Sequence, residues 1–343
     1  MNNEKNSRYN RRAVLRGTGL VLGSAAVGGL MARSPTVHAQ DAAAGYPNRP
    51  IRWVVPYAPG GITDTLARVC GERLNEAWSQ PVLVENRPGG ASNIGNEAVA
   101  RSAPDGYTLL LASPPLSINP ALMPDQMRYD PERDLAPVIH LVNIPNAVFV
   151  PANSPFRTLK DLIDHARANP DRLTYGTSGI GTINHLGGEL LRVKADIKIS
   201  VVPFKGSAPL AQDLVAGNIP MAVDNLSTHA GLLQAGKLRA LAVLQAGRVP
   251  TSPDIPATGE LGLPEVSAVG WSGVSVRAGT PQAIIDRLAR ELDRICKLPQ
   301  VRARFESGGS QLVGGTPADF ARHMQTEARK WQGLIRDLGI KAG

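Results

Sequence analysis

The sequence predicts an α/β fold in two domains, the second inserted into the first. From Pro50 onward, short β-branched runs alternate with helical patterns, which is typical of α/β proteins with mainly parallel sheets. Two extended segments, Ile139 to Val150 and Val266 to Val276, break this rhythm and are interpreted as crossings between the domains. A length of 343 residues is enough for two cores. We therefore place domain 1 at residues 46–142 and 268–343, and domain 2 at residues 143–267.

Strand and helix patterns fill both parts of domain 1. Its predicted strands are Ile51 to Pro56, Pro81 to Glu85 and Tyr107 to Ala112. Its predicted helices are one that begins near Thr63, Ala91 to Ala103, Pro281 to Lys297 and Pro317 to Leu338. The last two helices follow the second crossing, so we expect them to pack on domain 1.

Domain 2 restarts the same rhythm after the breaker Asn153-Ser154-Pro155, with Thr158 as a helix N-cap. Its predicted strands are Leu173 to Gly176, Ser200 to Pro203, Ile219 to Asp224 and Leu238 to Leu244. The stretch from Val249 to Pro264 is rich in Pro and Gly and predicts a loop that leads back to the second crossing.

The positive charge is concentrated at the start of the chain. The formal net charge is +8, but residues 1–39 hold six basic residues and one acidic residue, so this leader carries +5 and the rest only +3. The leader has a basic start, an apolar middle from Gly17 to Met31 and a small-residue end at Val37-His38-Ala39, the zones of an export signal. We expect cleavage near Ala39, location in the periplasm and no nucleic-acid partner.

The basic start contains Arg11-Arg12, which resembles a twin-arginine signal. An ordinary Sec signal that happens to contain two arginines is the alternative. A membrane anchor is disfavoured, because the apolar middle is shorter than the ~20 residues that a span needs.

Cysteine and histidine positions give little sign of metal or redox chemistry. Cys70 and Cys296 lack metal-ligand spacing and lie in amphipathic helical stretches, which predicts buried free thiols, with a disulfide as the alternative. The histidines that follow the leader are scattered, so we expect neither a metal site nor a cofactor.

Several predicted strands end in loops of small residues that run into helices. Such junctions gather free backbone N–H groups and the positive end of a helix dipole, and both favour an anion. In open α/β sheets these strand ends also face the crevice between domains. The loops are Ala58 to Asp64, Arg87 to Asn93, Gly176 to Thr182 and Lys205 to Ser207. As a set of four they predict a carboxylate site between the domains, although a sharp turn is the better explanation for the glycines of any single loop.

Two candidate enzyme motifs in the sequence are each incomplete. Gly176 to Gly181 has the glycine spacing of a phosphate loop, but Thr182 stands where the required Lys would be. Ser178 lies in a glycine loop without the final glycine of a nucleophile elbow, and the sequence assigns it no base. We expect no catalytic activity and keep a periplasmic hydrolase as a remote alternative.

Longer motifs carry a resemblance to a known family. Val54-Val55-Pro56-Tyr57-Ala58-Pro59-Gly60-Gly61, Val84-Glu85-Asn86-Arg87-Pro88-Gly89, Ala103-Pro104-Asp105-Gly106-Tyr107, Val202-Pro203-Phe204-Lys205-Gly206 and Ala278-Gly279-Thr280-Pro281 occur in order along the chain. Together they resemble the Bug receptors, the extracytoplasmic solute receptors of tripartite tricarboxylate transporters.

The resemblance implies a type II-like, two-lobed periplasmic binding fold that closes on a small carboxylate in the interdomain cleft. It implies permease subunits of a tripartite transporter as partners, and we expect a monomer. A sensor kinase as the docking partner is the alternative. The implied ligand-binding residues are Pro59, Gly60, Gly61, Ser113, Ser178, Gly179, Gly181, Thr182, Lys205, Gly206 and Asp224, the last by holding bridging water.

One departure from the family pattern concerns the segment after Ser113. The family usually has small polar residues there and often His, whereas this chain has Pro114-Pro115-Leu116. The loss of polar contacts points toward a relatively apolar or aromatic carboxylate.

Overall fold

The strands divide into two mixed sheets in the computed structural model, which describes residues 45–342. The first sheet contains β1 (Ile51–Val55), β2 (Val82–Asn86), β3 (Thr108–Ala112), β4 (Leu135–Ile144), β10 (Gly270–Arg277) and β11 (Gln311–Gly314). The second contains β5 (Asn146–Pro151), β6 (Leu173–Thr177), β7 (Ile199–Pro203), β8 (Met221–Asn225) and β9 (Leu238–Val243). The strand order is β11-β4-β10-β3-β1-β2 in the first sheet and β7-β6-β8-β5-β9 in the second.

Helices connect the strands and pack on the sheets. They are α1 (Ile62–Trp78), α2 (Asn93–Ala100), α3 (Pro115–Leu122), α4 (Pro131–Asp134), α5 (Leu159–Ala168), α6 (Ile183–Lys194), α7 (Ser207–Ala216), α8 (Leu226–Gln234), α9 (Gln282–Cys296), α10 (Pro299–Glu306) and α11 (Pro317–Leu338). Thr158 caps α5 as predicted, by accepting the N–H of Asp161. Within residues 45–342, no helix combines the length and the apolar character that a membrane span requires.

The prediction of mainly parallel sheets was wrong. Strand β1 pairs in parallel with β2 and β3, and β6 pairs in parallel with β7 and β8. The pairings that involve β4, β5 and β10, which include the predicted crossing segments, are antiparallel. A strand that passes from one sheet to the other enters without a crossover helix, and therefore runs against its neighbours.

The chain changes sheet between Ile144 and Asn146, and again between β9 and β10. All five strands of the second sheet therefore come from one continuous stretch, Asn146 to Val243, between strands of the first sheet. We call the parts of the fold built on the first and second sheets lobe 1 and lobe 2. The predicted domain boundaries at residues 142/143 and 267/268 stay predictions.

The C-terminal helix α11 packs on the cores of both lobes. Phe320, near its start, is buried with Trp271 and Leu110 of the first sheet. Trp331, farther along, is buried in the core of lobe 2 with Tyr175. The helix thus forms a further physical link between the lobes, in addition to the strands that cross between them.

Several local features differ from the sequence-based expectations. Helix α2 begins at Asn93 and not at the predicted Ala91, because residues 90–92 form a left-handed 3-10 turn. Helix α3 was not predicted, since Pro120 lies inside it and proline disfavours a helix beyond the first turn. Cys70 and Cys296 are buried free thiols in the core of lobe 1, as predicted. The expected export signal at residues 1–39 lies outside the described residues.

Candidate functional site

A cavity of about 430 Å³ lies where loops of both lobes meet. Its size falls in the range typical of small-molecule sites. Its lining comes from the ends of β1, β2 and β3 in lobe 1, the ends of β6 and β8 in lobe 2, and the crossing strand β10. The polar lining residues are Tyr57, Thr63, Ser92, Ser113, Asn119, Ser178, Thr182, Asn184, Asn225, Trp271 and Ser272.

Five of the predicted binding residues line this cavity. They are Gly61, Ser113, Ser178, Gly181 and Thr182. Pro59, Gly60 and Lys205 are exposed and lie outside the lining, as do Gly179 and Gly206. Asp224 lies behind the cavity wall, fully buried. The binding roles of all these residues stay predictions.

The loop after β1 is fixed by the buried carboxylate of Asp64. This carboxylate accepts the Gly60 N–H at 3.0 Å, Arg68 Nε at 3.0 Å and Asn86 Nδ2 at 2.9 Å. Asn86 Nδ2 also donates to the carbonyl of Tyr57 at 3.1 Å. The hydrogen bond from Arg68 is the main cause that lowers the pKa of Asp64 to about 2. Asp64 therefore stays ionised, holds the loop shape and has its charge offset by Arg68.

Three hydroxyl groups meet on the wall that lobe 1 contributes. Tyr57 Oη and Ser113 Oγ are 2.8 Å apart, and Ser92 lines the same wall. Burial raises the pKa of Tyr57, and the hydrogen bonds of the two serines offset only part of the rise. The phenol therefore stays protonated at neutral pH and can donate a hydrogen bond.

Lobe 2 contributes a glycine loop held by the cap of α6. Thr182 Oγ1 accepts the His185 N–H at 3.2 Å and donates to the Gly179 carbonyl at 2.7 Å. The Gly181 N–H donates to His185 Nδ1 at 3.2 Å. Gly179 and Gly181 have φ values of 150° and 76°, which glycine adopts without strain. The predicted Lys205–Gly206 loop packs behind this one, where the Gly206 N–H donates to the Ser178 carbonyl at 3.1 Å.

Asp224 organises the base of the lobe 2 wall. Its carboxylate accepts Asn184 Nδ2 at 2.5 Å, the Asn225 N–H at 2.8 Å and His229 Nε2 at 3.1 Å. Asn184 and Asn225 line the cavity and Asp224 does not. Asp224 therefore acts on the cavity through these two asparagines.

Three buried polar atoms on lining residues have no hydrogen-bond partner in the described part of the chain. They are Asn184 Oδ1, Trp271 Nε1 and Ser272 Oγ. Asn184 uses its amide group to donate to both Ser178 Oγ and Asp224, which fixes the orientation that leaves its oxygen unpaired. Buried polar groups are normally paired, so these atoms indicate a cavity suited to polar groups of a ligand or water.

Sequence reasoning missed Asn184, Trp271 and Ser272. Asn184 lies two residues after the predicted loop ends, and its position on the first turn of α6 was a usable signal. Trp271 and Ser272 lie in a crossing segment, where the sequence gives no indication of which residues face the cleft.

Of the described residues that line the cavity, none is able to activate a serine for catalysis. Asn184 is the side chain that donates to Ser178 Oγ, at 2.8 Å, and an amide cannot act as a general base. Among residues 45–342, no charged side chain lines the cavity. The wall is instead completed by apolar residues, of which α3 and its flanks supply Pro114, Pro115, Ile118, Leu122 and Met123.

Two sheet-based lobes joined by crossing strands, with a ligand-sized cavity between them, have the architecture of a solute-binding receptor. Residues 66–340 match the family described as the tripartite tricarboxylate transporter family receptor. The chain belongs to this family, whose members are periplasmic solute receptors and not enzymes.

Relatives and solved structures agree with this membership. The chain is 34% identical to protein BugT of Bordetella pertussis over 318 residues, which are 92% of this chain and 97% of BugT. It is 35% identical to a UPF0065 protein in the tcbD-tcbE intergenic region of a Pseudomonas species over 298 residues, which are 87% of this chain and 88% of that protein.

Two of the similar structures contain a carboxylate. Rpa4515 of R. palustris with adipate has a TM-score of 0.76 and 35% identity, with 86% of this chain and 99% of that chain covered. MatC of Rhodopseudomonas palustris with bound malate has a TM-score of 0.72 and 28% identity, with 84% and 100% covered. Receptors similar to this chain therefore bind carboxylates.

Proposed function

We propose that this protein is a periplasmic receptor that captures a small monocarboxylate with a largely apolar body and delivers it to a tripartite tricarboxylate transporter. The observation that carries the proposal is the composition of the cavity wall. Hydroxyl and amide groups from both lobes meet there with an apolar surface from α3, and the described lining holds no charge.

Uncharged donors can hold one carboxylate well. Each oxygen of a carboxylate accepts more than one hydrogen bond, and charge-assisted hydrogen bonds are stronger than neutral ones. Donors from both lobes would also favour the closed state, because the ligand makes all of its contacts only when the lobes meet.

A second carboxylate would fit this wall poorly. Pro114 and Pro115 lack an N–H, and Ile118, Leu122 and Met123 offer no strong donor, so a charge beside them would lose its hydration without compensation. An aromatic ring or an alkyl chain would instead gain by burying apolar surface there.

Location and delivery follow from the family and from the leader. Receptors of the family are periplasmic, and residues 1–39 have the zones of an export signal. We infer cleavage near Ala39 and transfer of the ligand to the membrane subunits of the transporter.

A ligand panel tests the proposal. Titration calorimetry would compare benzoate and hexanoate with adipate, malate and citrate. We expect benzoate or hexanoate to bind with a Kd near the micromolar level, a binding free energy of about −8 kcal/mol, and the polyacids to bind at least tenfold more weakly. Binding of polyacids alone would contradict the proposed ligand class. Receptor-dependent uptake of the bound acid would test delivery.

A further inference from the structure

Four consecutive residues at the lobe 1 wall have positive φ. The values are 119° for Gly89, 56° for Gly90, 50° for Ala91 and 77° for Ser92. Glycine adopts such values freely, but a residue with a Cβ atom is strained there. Ala91 and Ser92 both line the cavity. The strain therefore lies at the binding site and not at a remote turn.

A buried polar network holds this turn. Asn119 Nδ2 donates to the Ala91 carbonyl at 2.9 Å and to Asn93 Oδ1 at 3.0 Å. Tyr129 Oη also donates to Asn93 Oδ1, at 3.0 Å, and accepts Asn96 Nδ2 at 2.9 Å. All four side chains of the network are buried, where hydrogen bonds hold geometry firmly.

The turn places one hydroxyl group at the hydroxyl cluster. Ser92 lines the same wall of the cavity as Tyr57 and Ser113, and the Tyr57 phenol lies 2.8 Å from Ser113 Oγ. The three hydroxyls carry three protons, and the hydrogen bond between Tyr57 and Ser113 uses one of them. At least one O–H group is therefore left to donate to a ligand.

The residue type at position 92 indicates whether this position binds a ligand or only forms part of the turn. Glycine would adopt a φ of 77° without strain, as Gly89 and Gly90 do beside it. A turn needed only to connect β2 to α2 would favour glycine at position 92 as well. Serine adds a hydroxyl at the cost of strain, and strained residues of this kind cluster at ligand sites.

We propose that Ser92 is a carboxylate-binding residue of the cleft and that Asn119 is the residue that positions it, through the left-handed turn at residues 89–92. This inference rests on the proposed function, because the ligand group that Ser92 contacts is the carboxylate. Asn119 belongs to α3, so one helix supplies both the apolar wall and the anchor of the hydroxyl cluster.

The experiment measures affinity and stability separately in Ser92→Gly, Asn119→Ala and the double variant. The probe is whichever of benzoate, hexanoate, adipate, malate and citrate the wild-type protein binds most tightly. We expect Ser92→Gly to melt at the wild-type temperature or above it, because strain is removed, yet to bind at least tenfold more weakly. Asn119→Ala should also weaken binding. The affinity of the double variant, however, should be at most twofold lower than that of Ser92→Gly. Residues that act as one unit are non-additive in this way.

Ser79→Gly is the matched control. Ser79 is also a serine with positive φ, 53°, but it lies exposed at the end of α1 and away from the cavity. This variant should gain stability and keep wild-type affinity. Wild-type affinity in Ser92→Gly would overturn the inference, and so would additive losses in the double variant. A wild-type protein that bound none of the five acids would instead overturn the proposed function. If Asn119→Ala does not fold, the Ser92→Gly result still decides the role of Ser92.

Discussion

Gly181 of lobe 2 packs directly against Leu122 of helix α3, so closely that a Cβ atom on the glycine would lie 2.3 Å from Leu122 Cδ2. Both residues line the cavity. The glycine loop of lobe 2 and the apolar helix α3, whose Leu122 is buried in the core of lobe 2, therefore touch at the cavity wall. We expect this contact to limit how much larger a side chain at position 181 could be.

Gly181→Ala is expected to obstruct closure. The new methyl group would collide with Leu122, and the φ of 76° is unfavourable for alanine. We expect at least a tenfold loss of affinity in calorimetry, about 1.4 kcal/mol, with little change in the fold of the ligand-free protein. Adding Leu122→Ala should restore part of the loss, because it frees the space. Gly217→Ala is the control: its φ is 78°, but nothing lies within 4 Å of its Cβ position. Equal affinity losses in the two alanine variants would rule out the steric explanation.

Asp224→Asn tests the support behind the lobe 2 wall. The carboxylate accepts three hydrogen bonds in a fully buried position, two on Oδ1 from Asn184 and Asn225 and one on Oδ2 from His229. An amide that kept its oxygen toward the first two would turn its NH2 group toward His229 Nε2, and every remaining hydrogen bond would lose the charge of the carboxylate. Losing these charge-assisted bonds should cost about 2 kcal/mol of unfolding free energy. Affinity should fall as well, since the hydrogen bond that orients Asn184 becomes weaker. Urea denaturation and calorimetry measure the two effects, with the exposed Asp254→Asn as control. A variant with wild-type stability would show that the network is dispensable.

The sequence predicted the positions of the cleft loops but not how their side chains combine. Glycine-rich strand ends leave a local signal, which is why the loops that hold Gly61, Ser178 and Gly181 were predicted without a structure. Trp271 and Ser272 reach the cavity through the pairing of β10 with β3 and β4, a tertiary relationship that no local pattern contains.

The same limit explains the errors in the fold. Alternating strands and helices predict parallel sheets, and this prediction is correct for the pairing of β1 with β2 and β3. The direction in which a crossing strand enters a sheet depends on the path of the chain between lobes, which composition and periodicity do not specify. Helix α3 was missed for a local reason, since Pro120 lies inside it.

Acid should destabilise the protein through a buried histidine cluster. Burial, with a smaller contribution from His323, lowers the pKa of His140 to about 3 from an ordinary 6.5. Below pH 6.5 the unfolded chain therefore binds a proton that the folded protein refuses, so stability falls as the pH drops from 6.5 toward 3. The slope for one such group is about 1.4 kcal/mol per pH unit.

Replacing His140 by Phe should flatten this slope. The ring is packed among Trp271, Phe320 and His323, so an aromatic replacement keeps these ring contacts and removes the titration, although it loses the hydrogen bond between His140 Nε2 and the Val142 carbonyl. Unfolding free energies from urea titrations between pH 4 and 7 measure the slope. His165→Phe removes an exposed histidine and should leave it unchanged. An unaltered slope in His140→Phe would exclude this residue as the source of acid sensitivity.

Gly61→Asp should abolish binding while leaving the fold intact. Gly61 is the N-cap of α1 with φ −78° and ψ 173°, a conformation that aspartate adopts readily and a position that it favours. A Cβ atom there would meet only Thr63 Oγ1, at 4.0 Å. The variant should therefore melt no lower than the wild type. Its carboxylate, however, would stand at the cavity wall and repel an anionic ligand.

Gly61→Asn separates charge from size in that experiment. Asparagine also caps helices and has nearly the same shape, but it carries no charge. We expect Gly61→Asp to bind at least tenfold more weakly than Gly61→Asn in the same calorimetric titration, with the gap narrowing as salt is added. If the two variants lose affinity equally, bulk at position 61 and not repulsion of an anion is responsible. If both keep wild-type affinity, the ligand does not approach the first turn of α1.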